Sequence, residues 1–313
     1  MSEAVSVTTG SRIHFGLIGW GPEHPRQFGG VGVMIGPPSL QLRASAAPAF
    51  SAHGPLAERT AAVAKRLVRH WQLNSLPACR LEVVSAPPEH AGLGTGTALA
   101  LAIASALAKF LRRGDTSLEE LALATGRGLR SAIGAYGFKN GGLIFEDGKA
   151  AGDVLGRLQA RVTLPSEWRF VLVHTGSPPG LGGDEERRAF ELVSATPAKT
   201  SAELRRIAAD VIVPAAQAKD FQTFATAVAD YNRLAGSCFA SVQQGDYASA
   251  EIADLVAALR NHGVQGVGQS SWGPTVFAIV PNEGSAHELK GWLARERGYE
   301  TDRVSIASTT TGR

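Results

Sequence analysis

The segment that most constrains the fold of this chain is a glycine-rich stretch at residues 87–97, with glycines at positions 92, 94 and 96. It follows an alternating run at 80–85, typical of a strand, and precedes a long apolar run at 98–111, typical of a buried helix. A strand, a glycine loop and a helix start in this order favour anion binding, because the bare backbone admits a ligand and the helix offers unpaired N–H groups. A glycine-rich turn without a ligand is the alternative. The predicted phosphate contacts are Gly92, Leu93, Gly94, Thr95, Gly96 and Thr97.

Composition favours a globular chain of two domains. The 313 residues are 44% hydrophobic and 19% charged, which is enough to bury a large core. Composition shifts near 164–166, so we predict an N-terminal domain at 1–165 and a C-terminal domain at 166–313. The net charge of +3 suits small anionic ligands and is too weak to indicate nucleic acid.

The sequence carries no pattern of a secreted or membrane protein. Its two cysteines show no metal-ligand spacing, and its first residues lack the charged and apolar regions of a signal peptide. The apolar run at 98–111 is shorter than the ~20 residues that a membrane span needs. We therefore expect a reduced, cytoplasmic protein that does not contact a membrane.

Alternating strands and helices predict an α+β fold. Strands are predicted at 11–17, 31–35, 40–46, 80–85, 141–145, 170–174, 276–280 and 303–306. Helices are predicted at 56–71, 98–111, 116–125, 201–211, 221–243, 250–261 and 285–297. The Gly-Pro-Pro sequence at 36–38 predicts a break between two of the strands.

The glycine stretch differs from the commoner phosphate loops. No lysine occurs between Lys65 and Lys109, so it is not a Walker loop, and its glycines do not follow the dinucleotide spacing. It resembles the Pro-x-x-x-Gly-Leu-Gly-Ser-Ser motif of the GHMP kinases, with Thr95 and Gly96 in place of the two serines. Gly96 lacks the hydroxyl that the kinases use toward magnesium, which argues against kinase-style magnesium binding there, and Thr97 is the candidate substitute.

Three further stretches narrow the resemblance: 11–15 with 29–32, 126–134 with 141–142, and the Gly-Gln-Ser-Ser-Trp-Gly-Pro-Thr sequence that begins at Gly268. Together with the glycine loop they resemble the β-ribofuranosylaminobenzene 5′-phosphate synthases, a branch of the GHMP superfamily. The match covers nearly the whole chain in the same order. It implies a GHMP-kinase-like fold with an N-terminal half like ribosomal protein S5 domain 2, a ferredoxin-like C-terminal half and a ligand in the cleft between them.

The resemblance also implies an activity. Enzymes of this branch condense 5-phosphoribosyl 1-diphosphate with 4-aminobenzoate or 4-hydroxybenzoate, releasing CO2 and diphosphate, in methanopterin biosynthesis. It further implies Mg²⁺ with the diphosphate and a homodimer. GHMP kinases that use a general base carry an aspartate where Gly134 stands here. An ATP-dependent small-molecule kinase and a catalytically inactive ligand sensor are the competing hypotheses.

Three residues are predicted to be catalytic: His14, Arg26 and Arg130. A guanidinium matches both carboxylate and phosphate, and a histidine can bond to the amine or hydroxyl of the acceptor ring or take its proton. The alternatives are solvated arginines and a satisfied core histidine. Substrate contacts are predicted in the second glycine turn, at Gln269, Ser270, Ser271 and Trp272, although Trp272 could instead pack the domain junction.

Other charged residues near glycine loops are weaker candidates. Arg12 and Arg127 are possible anion contacts, and His90 could touch phosphate or only close its turn. The metal ligands are not determined by the sequence. The acids that could hold Mg²⁺ on the diphosphate are Glu23, Glu89, Asp184 and Glu185, of which the last two could instead stabilise a helix N-terminus.

Overall fold

The computed structural model describes residues 4–177, 180, 183–243 and 245–312, without the side chains of 183–187. The first half contains six strands, namely β1 (Val5–Gly19), β2 (Phe28–Ala46), β3 (Ser51–His53), β4 (Cys79–Ser85), β5 (Leu143–Glu146) and β6 (Leu158–Val162). Its four helices are α1 (Ala57–His70), α2 (Thr95–Phe110), α3 (Leu118–Thr125) and α4 (Ile133–Asn140).

The second half contains four strands, namely β7 (Arg169–His174), β8 (Gly266–Gln269), β9 (Thr275–Val280) and β10 (Val304–Thr309). Its helices are α5 (Gly183–Leu192), α6 (Ala198–Arg206), α7 (Val213–Ala218), α8 (Phe221–Ser237), α9 (Ala250–Asn261) and α10 (Glu283–Arg297). A π-helical segment at Ile207–Ile212 joins α6 to α7. The predicted α+β class is confirmed.

One sheet of ten strands runs through both halves. Its main path follows the order β3-β4-β2-β10-β7-β9-β8, with β1 and β5 also paired to β2 and β6 to β5. The C-terminal strand β10 joins the halves, because it pairs with β7 along its length and with β2 at Gly36 and Ile35. The predicted boundary between residues 165 and 166 lies in the loop from β6 to β7. The division into domains stays a prediction, since the sheet crosses it.

The hydrophobic core also crosses between the halves. Phe15 of β1 and Phe277 of β9 are both fully buried, and their ring centroids lie 5.3 Å apart. Helix α2 is buried along almost its whole length against β1 and β2. Its alternating alanines allow this close approach to the sheet, as the sequence predicts. The start of α2, and with it the glycine loop, is therefore fixed by the core.

Two sequence predictions about elements were wrong in detail. Strands expected at 31–35 and 40–46 form the single strand β2, because the Gly-Pro-Pro segment is accommodated as a bulge: Gly10 pairs with Ser39, whereas Ser11 pairs with Ile35. Prolines lack an N–H and are tolerated in such a bulge. Helix α8 ends at Ser237, well before residue 243, and the chain continues in turns.

Asn232 of α8 holds three elements together at the centre of the molecule. Its Nδ2 donates to the carbonyl oxygens of Phe15 at 2.7 Å and Gln269 at 2.8 Å, and its Oδ1 accepts from the Gln269 N–H at 3.0 Å. The side chain is buried, with 6% of its surface exposed. It thereby satisfies backbone groups of β1 and β8 that water does not reach.

We expect Asn232→Ala to lower the free energy of unfolding by at least about 2 kcal/mol, since each buried polar group left unpaired costs about 1–3 kcal/mol. Urea denaturation followed by circular dichroism measures this change. The control is Asn261→Ala at the exposed end of α9, for which we expect a change within about 0.5 kcal/mol. Equal stability of the two variants would contradict the role given to Asn232.

Candidate active site

A cavity of about 290 Å³ opens between the two halves. The first half contributes β1, the glycine loop and the basic loop before α4, and the second half contributes α5, α8 and the turn after β8. All six predicted residues of the glycine loop line it, as do His14, Arg130, Gln269, Ser271 and Trp272. The structure therefore brings most of the predicted site residues to one place.

The glycine loop is held rigidly at the start of α2. The Arg12 N–H of β1 donates to the Leu93 carbonyl oxygen at 2.9 Å, and the Leu93 side chain is 1% exposed in the core. Gly94, with φ of 73°, occupies the left-handed region just before the helix, where a side chain would be strained. Within the described part of the chain, no side chain caps this helix start. Its first N–H groups thus point to a site suited to an anion.

Arginine side chains surround the glycine loop. A Cβ placed on Gly96 would lie 2.5 Å from Nη2 of Arg59 and 3.6 Å from Nη2 of Arg127. The Arg12 side chain lies beside Gly94, with its Nε 3.4 Å from the corresponding Cβ position. The hydroxyl lost at Gly96 is thus replaced by space into which a guanidinium reaches. Sequence reasoning missed Arg59, which lies on α1, about 30 residues before the loop, and has no local motif.

A turn from the second half closes onto this loop through Ser270. The buried Ser270 hydroxyl donates to the Gly92 carbonyl oxygen at 2.8 Å and accepts from the His14 N–H at 3.1 Å. The Ser271 N–H donates to the His14 carbonyl oxygen at 3.2 Å. Ser270 lies behind the cavity wall and does not line it, so the prediction of a substrate contact is corrected to a role in holding the loop to β1.

Gln269 shapes the same turn. Its Oε1 accepts from the Ala248 N–H and its Nε2 donates to the Ser271 carbonyl oxygen, both at 2.8 Å. Both ends of its amide are therefore already bonded within the protein. Gln269 lines the cavity but is occupied in fixing the positions of Ser271 and Trp272.

An aromatic wall, defined as Phe190, Phe239 and Trp272, lines another part of the cavity. The Trp272 ring centroid lies 4.8 Å from that of Phe239 and 5.8 Å from that of Phe190. The Arg130 guanidinium carbon lies 4.9 Å from the Phe190 ring centroid. Trp272 therefore both packs the junction and faces the cavity. This part of the cavity combines flat apolar surfaces with a positive charge, which suits an aromatic anion.

His14 is buried at the cavity wall with both ring nitrogens engaged. Its Nδ1 accepts from the Gly16 N–H at 3.1 Å, and its Nε2 lies 3.0 Å from the Ser131 hydroxyl. Burial holds the pKa of the imidazole well below its usual value, and the nearby Arg12 charge lowers the pKa further. His14 is therefore neutral at neutral pH. This bonding does not support the predicted role as a direct proton acceptor.

Glu146, at the end of β5, is a buried acid that sequence reasoning missed. It is 1% exposed, and its carboxylate accepts from the Ala132 N–H at 3.0 Å and the Gly148 N–H at 2.9 Å. Burial raises the pKa of Glu146 to about 7, although the hydrogen bonds that it accepts act in the opposite direction. An acidic residue ending an otherwise apolar strand was the one signal available in the sequence.

The structure does not bring Arg26 to the cavity. Its Nη1 donates to the Gly148 carbonyl oxygen at 3.2 Å and to Asp153 Oδ2 at 3.3 Å, in a surface pairing outside the cavity lining. The prediction that Arg26 is catalytic is corrected on this ground: its charge is used to hold the loop after β5. Arg12 and Arg127, the weaker candidates, line the cavity, as does His90.

Among the described residues, few acidic side chains lie near the cavity. Glu89 lines the end that holds the glycine loop and pairs with Arg59, whereas Glu23 is not among the lining residues. The side chains of Asp184 and Glu185 lie outside the described residues. In the described ranges, no group of three or more His, Cys, Asp or Glu side chains is placed to hold a metal ion. Nor does any helix described here have the length and apolar character to cross a membrane.

Comparison with protein families identifies the class. The model of the GHMP kinases N terminal domain matches residues 57–140, and that of the GHMP kinases C terminal domain matches 212–299. Mevalonate pyrophosphate decarboxylase from Streptococcus pyogenes superposes with a TM-score of 0.71 at 13% identity, covering 99% of this chain and 98% of that one. Mevalonate-3-kinase from Thermoplasma acidophilum superposes with a TM-score of 0.67 at 13% identity, covering 100% and 98%. The chain belongs to the GHMP kinase superfamily.

Relatives with similar sequences indicate a narrower group within this superfamily than the fold does. The Beta-ribofuranosylphenol 5'-phosphate synthase of Methanothermobacter thermautotrophicus is 27% identical over 312 residues, covering 91% of this chain and 93% of that protein. The protein of the same name from Archaeoglobus fulgidus is 27% identical over 322 residues, covering 97% of each. The resemblance to this synthase branch, predicted from the motifs, is confirmed.

We expect Gly96→Ala to weaken binding of inorganic diphosphate about 10- to 100-fold, because the added methyl group displaces the Arg59 guanidinium and so removes a charge-assisted hydrogen bond. Isothermal titration calorimetry measures the affinity. The matched control is Gly284→Ala, which changes the second residue of α10 in the same way and has only Asn282 Oδ1 nearby, at 3.3 Å. Unchanged affinity in Gly96→Ala would show that Arg59 does not contact the anion.

Proposed function

We propose that this protein is a C-riboside-forming phosphoribosyltransferase that condenses 5-phosphoribosyl 1-diphosphate with 4-hydroxybenzoate or 4-aminobenzoate, releasing CO2 and diphosphate. The pathway that we propose for it is methanopterin biosynthesis. One observation carries the proposal: a single cavity is lined both by an arginine-rich glycine loop and by the aromatic wall with Arg130. The names of the relatives, which describe a phenol joined to ribofuranosyl 5′-phosphate, support the same pentosyltransferase role.

The glycine loop suits the phosphate-rich donor. Arg12, Arg59 and Arg127 reach the glycine loop, and the start of α2 adds backbone N–H groups. A diphosphate leaving the ribose carbon gains negative charge, and positive groups fixed in advance stabilise that charge. Within the described lining, the carboxylates are Glu89 and Asp246, so the balance of charge along the cavity is positive.

The aromatic wall suits the acceptor. A benzoate ring placed against Phe239 and Trp272 would have its carboxylate within reach of the Arg130 guanidinium. Such contacts fix the ring in one orientation relative to the ribose, and orientation of two reactants is a large part of the catalysis of bimolecular reactions. Since both surfaces belong to one cavity, donor and acceptor would lie beside each other in it, and His14 and Ser131 also line that cavity.

The reaction follows from the electronics of the substrates. Departure of diphosphate leaves oxocarbenium character at the ribose carbon. A hydroxyl or amino group para to the carboxylate pushes electron density onto the carboxylate-bearing ring carbon, which attacks. The resulting ring cation regains aromaticity when the bond to the carboxylate breaks and CO2 leaves. No strong base is needed at the attacking carbon, which is consistent with Gly134, rather than an acid, beside Thr97 and Arg12.

A divalent metal fits the loop end of the cavity. Glu89 offers a carboxylate and Thr97 a hydroxyl there, and Mg²⁺ takes one or two such protein ligands together with phosphate oxygens and water. These two residues would hold the ion, which when bound would offset charge on the diphosphate. Mg²⁺, a homodimer and a cytoplasmic location stay predictions from the resemblance.

We expect Arg130→Ala to lower kcat/KM for the benzoate about 30- to 1,000-fold, which corresponds to about 2–4 kcal/mol of transition-state stabilisation, because it removes the positive charge near the aromatic wall. Arg26→Ala is the matched control, since Arg26 pairs with Asp153 away from the cavity. Its kcat/KM should stay within a factor of about two of the wild-type value. Steady-state kinetics of both variants decide the assignment, and a larger loss in Arg26→Ala than in Arg130→Ala would reverse it.

The reaction itself is tested with substrate labelled with heavy carbon in its carboxyl group. We expect CO2 and diphosphate in equal amounts from 4-hydroxybenzoate or 4-aminobenzoate, and all of the label in CO2. Benzoate should fail because it lacks the electron-donating group, and 4-aminobenzamide because it has no carboxylate to lose. Label retained in the product would mean bonding through oxygen or nitrogen. ADP formed from ATP and a small alcohol would favour the kinase hypothesis instead.

A further inference from the structure

Phe190, in the last turn of α5, lies within a cluster of aromatic rings from both halves of the chain. Four rings surround it, each with its centroid 5.6 to 5.9 Å away and each nearly perpendicular to it, at 83° to 90°: those of Trp20, Phe28, Phe239 and Trp272. They come from the end of β1, the start of β2, the turns after α8 and the turn after β8. One side chain of α5 therefore contacts four separate segments.

This arrangement fixes the plane of the Phe190 ring. An aromatic ring carries partial negative charge on its face and partial positive charge on its edge, so perpendicular contacts between rings are attractive. Because Phe190 makes such contacts with four rings, a tilt of its ring would worsen several of them at once.

The chain that follows α5 is also held in place. The Thr196 N–H donates to the Trp20 carbonyl oxygen at 2.9 Å, and the Trp20 N–H donates to the Thr196 hydroxyl at 3.3 Å. Both side chains are buried. Phe190 thus has a fixed backbone nearby as well as a fixed ring plane.

One face of the Phe190 ring is covered by Arg130. The guanidinium carbon of Arg130 lies over the ring, 4.9 Å from its centroid, and a cation within about 6 Å of a centroid is attracted to the negative face. Arg130 belongs to the loop between α3 and α4, where no helix or strand orients its side chain. The place of the guanidinium therefore depends on contacts that the side chain itself makes, and the one with Phe190 joins the two halves at the cavity.

We infer that Phe190 is a positioning residue, which sets the place of the Arg130 guanidinium in the cavity and thereby favours acceptors that carry a carboxylate. Because one face of Phe190 is covered by Arg130, we assign stacking on the substrate ring to Phe239 and Trp272. As an effect on substrate affinity, the inference rests on the proposed function. As an effect on the guanidinium, it stands without any substrate.

This role differs from that of an apolar wall in one measurable way. A carboxylate forms charge-assisted hydrogen bonds with a guanidinium, which are roughly twice as strong as those between neutral groups. A carboxamide of the same shape carries no such charge. Removal of the Phe190 ring should therefore weaken binding of a carboxylate more than binding of the matching amide, whereas the loss of apolar packing would weaken both equally.

The first test compares 4-hydroxybenzoate with 4-hydroxybenzamide by isothermal titration calorimetry. We expect Phe190→Leu to weaken binding of the benzoate about 5- to 30-fold, the equivalent in affinity of a cation–π contact, and to change binding of the amide by no more than about twofold. The matched control is Phe221→Leu. Phe221 is also half-buried and nearly perpendicular to a tryptophan ring, that of Trp168 at 5.4 Å, but it does not line the cavity. Both affinities should stay at their wild-type values in this control.

A fluorine series keeps the test decisive even if Phe190→Leu does not fold. Phenylalanines with one, two and three ring fluorines are incorporated at position 190. Each fluorine withdraws electron density from the face of the ring and leaves its size nearly unchanged, so the attraction to the guanidinium should fall step by step. We expect the affinity for 4-hydroxybenzoate to fall with each fluorine and that for 4-hydroxybenzamide to stay constant. The same series at Phe221 should change neither.

The second test observes Arg130 without any ligand, in protein labelled with ¹⁵N-arginine. The spectrum of Arg130→Lys assigns the Arg130 Nε–H resonance. The ring current of Phe190 shifts protons above its face upfield, so we expect this resonance to move downfield in Phe190→Leu. It should keep its wild-type position in Phe221→Leu.

The two readouts separate the failures. If the wild-type protein binds neither compound but the Arg130 resonance moves in Phe190→Leu, the proposed acceptor fails and the positioning role stands. If Phe190→Leu weakens both compounds equally, or leaves the Arg130 resonance in place, Phe190 is part of the apolar wall only and the inference is wrong. In an Arg130→Ala background, Phe190→Leu should cause no further loss of benzoate affinity, and a loss as large as in the wild-type background would also overturn the inference.

Discussion

The cavity depends on the hydroxyl of Ser270. This one oxygen bonds the backbone of His14 on β1 and that of Gly92 in the phosphate loop, in a place that water does not reach. The turn that carries Ser270 comes from the second half of the chain, and Asn232 holds its start to β1. Because three elements meet through these bonds, the glycine loop, β1 and the turn that carries Trp272 are fixed relative to one another.

The absence of a side chain at Gly96 changes which groups surround the glycine loop. In the superfamily motif a hydroxyl stands there, whereas here the space admits Arg59 of α1, close to Arg127. Fixed guanidinium groups stabilise a departing diphosphate without accepting or delivering a proton. Together with Gly134 in the place of an aspartate, this arrangement supports the proposed function, in which the protein would stabilise a leaving group and would abstract no proton. A kinase fold would in this way serve the proposed glycosyl transfer.

Burial shifts the pKa values of two ionisable side chains, His14 and Glu146, in opposite directions. Burial and the Arg12 charge lower the pKa of His14, and burial, with a smaller effect of the Asp147 charge, raises the pKa of Glu146. Both effects have one cause, since a charge loses water when it enters the core. Hydrogen bonds from Ala132, Gly148 and Ser131 offset part of that cost for Glu146.

The sequence by itself determined the α+β class and the family, because glycine spacing and apolar periodicity are local signals. It also singled out the glycine loop at 92–97, Arg130 and Trp272, all of which line the cavity; their contacts with substrate stay predictions. Only the tertiary structure showed that Arg59, from the distant helix α1, reaches the glycine loop and that Glu146 is buried. It also showed that Arg26 pairs with Asp153 outside the cavity. The structure likewise shows Ser270 holding the glycine loop to β1 and not lining the cavity. The role of a side chain depends on which partners folding brings within hydrogen-bond distance, and spacing along the chain does not encode those partners.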